Sequence, residues 1–159
     1  MVALAADRNT PAALGDMNAD PVGAGSKILA GALVMRNATG FVVKGATATG
    51  CFACGRAEML ADNTSGANGA INVMWRAGVF RLANSGGGDL ITQAEVGKVC
   101  VIVDDQTVDD QTVAKTDATA TRSRAGVVTR DRVASGFAWM KPSPLPPAKG
   151  GRRKEKLQC

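Results

Sequence analysis

Ala70-Ile-Asn-Val-Met-Trp-Arg76 alternates without a break. Ile71, Val73 and Trp75 fall on one face, and Asn72, Met74 and Arg76 on the other. That is the period-two signature of a strand with one side in a core and one side in water. Ala77-Gly78 is small enough for a bulge or bend, after which Val79 to Ala83 continues the pattern.

Working outward, the same kind of segment recurs. Upstream, Lys27 to Arg36 is a strand candidate interrupted by Gly31; Asn37-Ala-Thr-Gly40 has hairpin-loop chemistry, and Phe41 to Lys44 reads as the return strand. Gly45 to Gly50 turns again, Thr49 to Leu60 holds the next strand, and Asp62 to Gly69 is loop by composition. Downstream, Asn84 to Gly88 is a flexible loop. Thr92-Gln-Ala-Glu95 fits a capping box, but Gly97 limits it to one helical turn. Val99 to Val103 is apolar at every position, which predicts a strand covered on both faces, by its own core and by a neighbouring subunit. An exact tandem repeat, Asp-Asp-Gln-Thr-Val, fills residues 104–113; Thr116 to Arg124 is polar loop, and Gly126 to Arg132 and Gly136 to Met140 form a last strand pair. Short strands with turn signals every few residues, and no long helical pattern, predict an all-β protein: a small barrel or sandwich of short antiparallel strands.

Three regions follow: an extended arm at 1–26, rich in Pro and Gly with room for one short strand; the β-domain at 27–140; and a Pro-rich basic tail at 141–159, expected to be disordered. The charge is divided in the same way. Residues 1–140 hold 13 Lys and Arg against 13 Asp and Glu, whereas residues 141–159 hold six against one. The net +5 therefore belongs to the tail, and the body gives no support for a duplex-binding basic domain.

The composition narrows the chemistry. With no His among the 159 residues, Ser–His and Cys–His nucleophiles and His metal ligands are excluded. No apolar run reaches the length of a membrane span, and the first residues lack the basic and apolar regions of a signal peptide, so the four Cys are expected reduced. Cys51-Phe-Ala-Cys54 has the spacing of half a zinc site, but there is no second pair, and on a strand the two thiols would face opposite sides. The acids Asp104, Asp105, Asp109, Asp110 and Asp117 lack EF-hand spacing and read as a solvated loop. Gly86-Gly87-Gly88 lacks the Lys-Ser/Thr of a phosphate loop. Trp75, Phe80, Phe137 and Trp139 could make a stacking platform for single-stranded nucleic acid, although the pattern around Trp75 favours core or subunit interface. The residues assign no catalytic group, metal or cofactor.

Several stretches resemble the small capsid decoration, or cement, proteins of tailed bacteriophages, particularly those encoded beside the major head protein in Mu-like phages. They are Ala6-Asp-Arg-Asn-Thr-Pro11, Gly55-Arg-Ala-Glu58, Gly78-Val-Phe-Arg-Leu-Ala-Asn-Ser85, Val96-Gly-Lys98, Val108-Asp-Asp-Gln-Thr-Val-Ala-Lys-Thr-Asp117 and Thr121-Arg-Ser-Arg-Ala-Gly-Val-Val128. One copy of Asp-Asp-Gln-Thr-Val and the tail from Lys141 depart from that pattern. The resemblance implies a non-enzymatic virion protein, made in the bacterial host cytoplasm and placed on the outer capsid surface. Its implied partners are the major capsid protein and itself, as dimer or trimer, with no membrane and no specific nucleic acid. Arg8, Asn9, Thr10, Pro11, Phe80 and Arg81 are the expected capsid or subunit contacts. The alternatives are another virion β-protein of tail or connector, and an OB-like module for single-stranded nucleic acid.

Overall fold

A computed structural model describes residues 15–104, 112–114, 121–132 and 137–142. Twelve strands make up nearly all of its regular structure: β1 (Met17–Pro21), β2 (Ser26–Ile28), β3 (Leu33–Arg36), β4 (Val42–Lys44), β5 (Phe52–Ala57), β6 (Ala61–Asn63), β7 (Asn72–Arg76), β8 (Phe80–Asn84), β9 (Val99–Asp104), β10 (Thr112–Ala114), β11 (Arg124–Arg132) and β12 (Phe137–Pro142). The protein is all-β, as its patterning predicts. Among the described residues the only helical pieces are two 3-10 turns, one of them closed by the Thr92–Glu95 capping box.

The alternating stretch behaves as its sequence requires. On β7, Val73 is fully buried, with Ile71 and Trp75 packed beside it, while Asn72 and Met74 are exposed. The bend at Ala77–Gly78 does more than interrupt the strand. β7 pairs with β1 and β5, whereas β8 pairs with β12 and β10, so the chain changes neighbours at this corner.

The main sheet curls at both ends. At one end β11, β12, β8, β10 and β9 follow one another, and β9 returns to pair with β11, which makes a five-strand ring. At the other end β1, β7, β5, β3 and β4 follow one another, and Val22, just past β1, bridges back to Val42 on β4. Such curling hides backbone edges that would otherwise pair with other chains. β2 and β6 form a separate two-stranded sheet. Most pairings among the described residues are antiparallel; β10 with β8, β11 with β5 and the Val22–Val42 bridge are parallel.

Each curl encloses a core. One contains Leu33, Met35, Ala53, Leu82, Ile91, Cys100, Ile102, Val128 and Met140; the other contains Val22, Ile28, Val34, Val42, Cys54, Ala57 and Val73. β3 and β5 serve both. Leu33 and Met35 point into the first core and Val34 into the second, which is why Leu33-Val-Met35 is apolar throughout. Cys51 and Cys54 likewise part company, one in each core, as expected for thiols three apart on extended chain.

Glycine marks two close approaches. A Cβ on Gly55 would lie 2.1 Å from the carbonyl oxygen of Arg76 on β7, and one on Gly126 would lie 2.0 Å from that of Lys141 on β12. Both gaps are far inside van der Waals contact, so no side chain fits without moving backbone.

The structure revises four readings. The candidate at 27–36 is two strands in different sheets, split by a turn in which Gly31 takes φ of 86°. Asp62 and Asn63, read as loop, lie on β6. On β9 the face of Cys100 and Ile102 lies in the chain's own core, while on the other face Val101 and Val103 are half-buried and Val99 is 43% exposed. β12 runs on through Lys141 and Pro142, two residues into the stretch read as tail. Residues 15–26, read as part of the arm, enter the fold through β1 and the start of β2; residues 1–14 and 143–159 lie outside the described residues.

Candidate interaction surfaces

The three described cysteines are all buried. Cys54 sits beside the Arg36 guanidinium, which favours its thiolate, yet burial wins and pushes the thiol up to about 11. Burial raises Cys100 to about 12 and raises Cys51 as well. All three are free, buried thiols of the inert kind. Among the described residues no group of three His, Cys, Asp or Glu is placed to hold a metal ion.

Several buried and half-buried polar groups act as fasteners. Asp20 on β1 accepts from Arg36 Nη2 at 2.6 Å and from Trp75 Nε1 at 2.8 Å, tying β1 to β3 and β7. Arg36 Nη1 also donates to the Gly40 carbonyl at 2.7 Å, which closes the β3–β4 hairpin. Ser123 Oγ accepts from Cys51 N–H at 3.1 Å and donates to the Ala48 carbonyl at 2.6 Å. Asn63 Nδ2 faces the carbonyls of Val22, Gly23 and Ala67 at 3.3, 3.0 and 2.9 Å.

Among the described residues, outward-facing side chains of note gather in two places. The first is an apolar end. The β2–β6 register ends at Ile28–Ala61, and Leu29 and Leu60, the next residue beyond each end, are both exposed. Leu60 is 53% exposed and its neighbour Met59 46%. Glu58 N–H donates to the Met74 carbonyl, so exposed Met74 lies next along the surface; it is paired across from Ala19, two residues from exposed Met17. Charges flank this belt: Arg56 bonds Glu58 at 2.6 Å, and Arg76 reaches Glu58 at 3.7 Å and Asp16 at 3.5 Å. Large apolar side chains gathered on a surface and rimmed by ion pairs mark binding faces.

The second place is the outer wall of the five-strand ring. Trp139 on β12 lies opposite Arg81 on β8, and Lys141 lies opposite Val127 on β11. Val127 in turn lies opposite exposed Val99 on β9.

Of the contact residues implied by the resemblance, Arg8, Asn9, Thr10 and Pro11 lie outside the described residues. Arg81 is exposed on the ring wall. Phe80 is 9% exposed and points inward, with the Arg56 guanidinium 5.1 Å above its ring. Alternation along β8 turns it away from solvent. The four aromatics considered as one platform divide: Phe80 is buried, Trp75 is half-buried against the second core, Trp139 is half-buried on the outer wall, and the Phe137 side chain lies outside the described residues. Leu29, Met59 and Leu60 escape sequence reasoning because apolar residues beside a strand read as core; the strand ends are what expose them.

No known family model, no curated protein and no solved structure matches the chain. No helix among the described residues is long and apolar enough to cross a membrane.

Proposed function

We propose that the chain is a virion structural protein of the decoration, or cement, class: it binds the outside of an assembled phage capsid, bridges neighbouring major capsid subunits as a small oligomer, and stabilises the head. The observation that carries this reading is the number of large apolar side chains left exposed, Leu29, Met59, Leu60, Met74 and Met17, on a small β-body. Covering the exposed half of such a side chain contributes about 1 kcal/mol, so several together supply adhesion.

The resemblance fits the same picture. Among the described residues, several of its stretches include tight points of the fold. Gly55 and Gly126 stand where strands cross, Gly97 takes φ of 85° and donates its N–H to the Val128 carbonyl, and Gly78 to Ser85 forms the corner and β8. They are the residues a shared scaffold needs, as opposed to a shared reactive site.

The mechanism is linkage. A ligand that binds the mature lattice and not its dissociated subunits stabilises the lattice by its binding free energy. An oligomer touching several subunits gains further through effective concentration, about 10²- to 10⁴-fold over one contact. The test is cosedimentation with expanded heads of the phage that encodes the chain, with procapsids as control. Binding to expanded heads, weakened at least tenfold in Leu29→Ser/Leu60→Ser, is the expected result. No binding, or measurable turnover of a small molecule, would end the proposal.

A further inference from the structure

We infer that Met17, Met59 and Met74 are modification sites: hydrogen peroxide oxidises them to sulfoxides while the chain stays folded, and the surface that carries them loses its apolar adhesion. The methionines divide by burial. Met17, Met59 and Met74 are 37%, 46% and 44% exposed, whereas Met35 and Met140 are 3% and 0% exposed and lie in the first core. The three described cysteines are buried as well, and the Cys100 thiol donates to Met140 Sδ at 3.9 Å. Among the described residues, the solvent-exposed sulfur side chains are therefore all thioethers, and a small oxidant meets these three first.

The chemistry is simple and balanced. A sulfur lone pair attacks one peroxide oxygen and the O–O bond breaks. Sulfur keeps that oxygen as S=O, and the other leaves as water; sulfur loses two electrons and the peroxide gains them. An apolar side chain becomes a polar one. Met74 is paired across from Ala19 on β1, and Met17 stands two residues along β1 on the same face. Adjacent strands lie about 4.8 Å apart and alternate residues about 6.7 Å apart, so the two thioethers share one patch. Met59 follows Glu58, whose N–H donates to the Met74 carbonyl. Arg76 is paired across from Met17 with its side chain 43% exposed, which puts guanidinium N–H donors beside the new oxygen. None of the three belongs to either core, so the added oxygens leave the packing alone; on Met35 or Met140 the same atom would enter a filled interior. The modification follows from burial, and its effect on head binding rests on the capsid proposal.

The test treats the full chain with hydrogen peroxide at neutral pH. Peptide mass mapping over time should find one oxygen added to Met17, Met59 and Met74 about tenfold sooner, or more, than to Met35 and Met140, and the two groups should converge in urea, where the core opens. Circular dichroism should not change over the first three additions. Retention on a butyl column should fall, and cosedimentation with expanded heads should weaken about tenfold or more. In Met17→Leu/Met59→Leu/Met74→Leu, peroxide should alter neither readout, whatever its starting level. Methionine sulfoxide reductases with a thiol reductant should restore both in the wild type. Oxidation of Met35 or Met140 in step with the exposed three, unfolding on the first additions, or unchanged column retention would each overturn the inference. Untreated protein that fails to bind heads would end the capsid proposal and leave mapping and retention to decide this one.

Discussion

Replacing Asn63 by Asp changes an NH2 group into an oxygen and almost nothing else in shape. The amide nitrogen faces three carbonyl oxygens, those of Val22, Gly23 and Ala67, at 2.9 to 3.3 Å, and the residue is 2% exposed. With two hydrogens it serves two of the three at any instant, worth about 1 kcal/mol each. Asn63→Ala removes those bonds and leaves carbonyls under-satisfied, at a cost of about 2–3 kcal/mol. Asn63→Asp does worse at neutral pH, because it aims a carboxylate at oxygens that repel it; an uncompensated buried charge costs about 3–5 kcal/mol. The sign with pH follows. The carboxyl in the fold is held above the value near 3.9 of the unfolded chain. Below that value both states are protonated and the penalty is absent, since a carboxyl O–H can donate one of the lost bonds. Above it the penalty grows by about 1.4 kcal/mol per pH unit until the folded group ionises too. Urea unfolding of wild type, Asn63→Ala and Asn63→Asp at pH 4 and pH 7 measures this. Asp should be the least stable of the three at pH 7 and should draw level with Ala, or pass it, at pH 4. An Asp variant within 1 kcal/mol of wild type at pH 7, or a gap to Ala that does not change with pH, would refute the assignment of Asn63 as a donor to those carbonyls.

Gly126→Ala should destabilise the fold by several kcal/mol, because its Cβ would meet the Lys141 backbone at 2.0 Å and only strand separation relieves the clash; thermal unfolding followed by circular dichroism reads this. Gly86→Ala, where nothing lies within 4 Å of the new Cβ, should leave the melting temperature within a degree or two. At pH 8 and without denaturant, Cys51, Cys54 and Cys100 should resist iodoacetamide, since thiols at about 11 and 12 are ionised to about one part in 10³ and 10⁴, and peptide mass mapping should find them alkylated only after unfolding. Because burial raises these thiols, stability should hold up to pH 9 and then fall as the unfolded chain's thiols ionise first; a flat urea midpoint between pH 8 and 10.5 would contradict it.

The sequence by itself determined the class of fold and most of its strands. Alternation in Ile71, Val73 and Trp75 fixes one face of β7, the Asn37–Gly40 turn fixes the β3–β4 hairpin, and Thr92 with Glu95 fixes a capping box; each is a local signal carried by residues a few positions apart. The spacing of Cys51 and Cys54 was enough to separate them. Tertiary structure alone decided which strands meet. Nothing near Gly78 announces that β7 and β8 belong to different curls, nor that Val22 and Val42 join across twenty residues. It also decided what is inside. Val99 to Val103 looks doubly buried and has one face in the core, whereas Leu33 to Met35 has two, because β3 and β5 form the wall between the cores. Leu29 and Leu60 are exposed and Phe80 is covered for the same reason. An apolar side chain states its preference for leaving water, but the packing of distant strands determines whether there is somewhere for it to go.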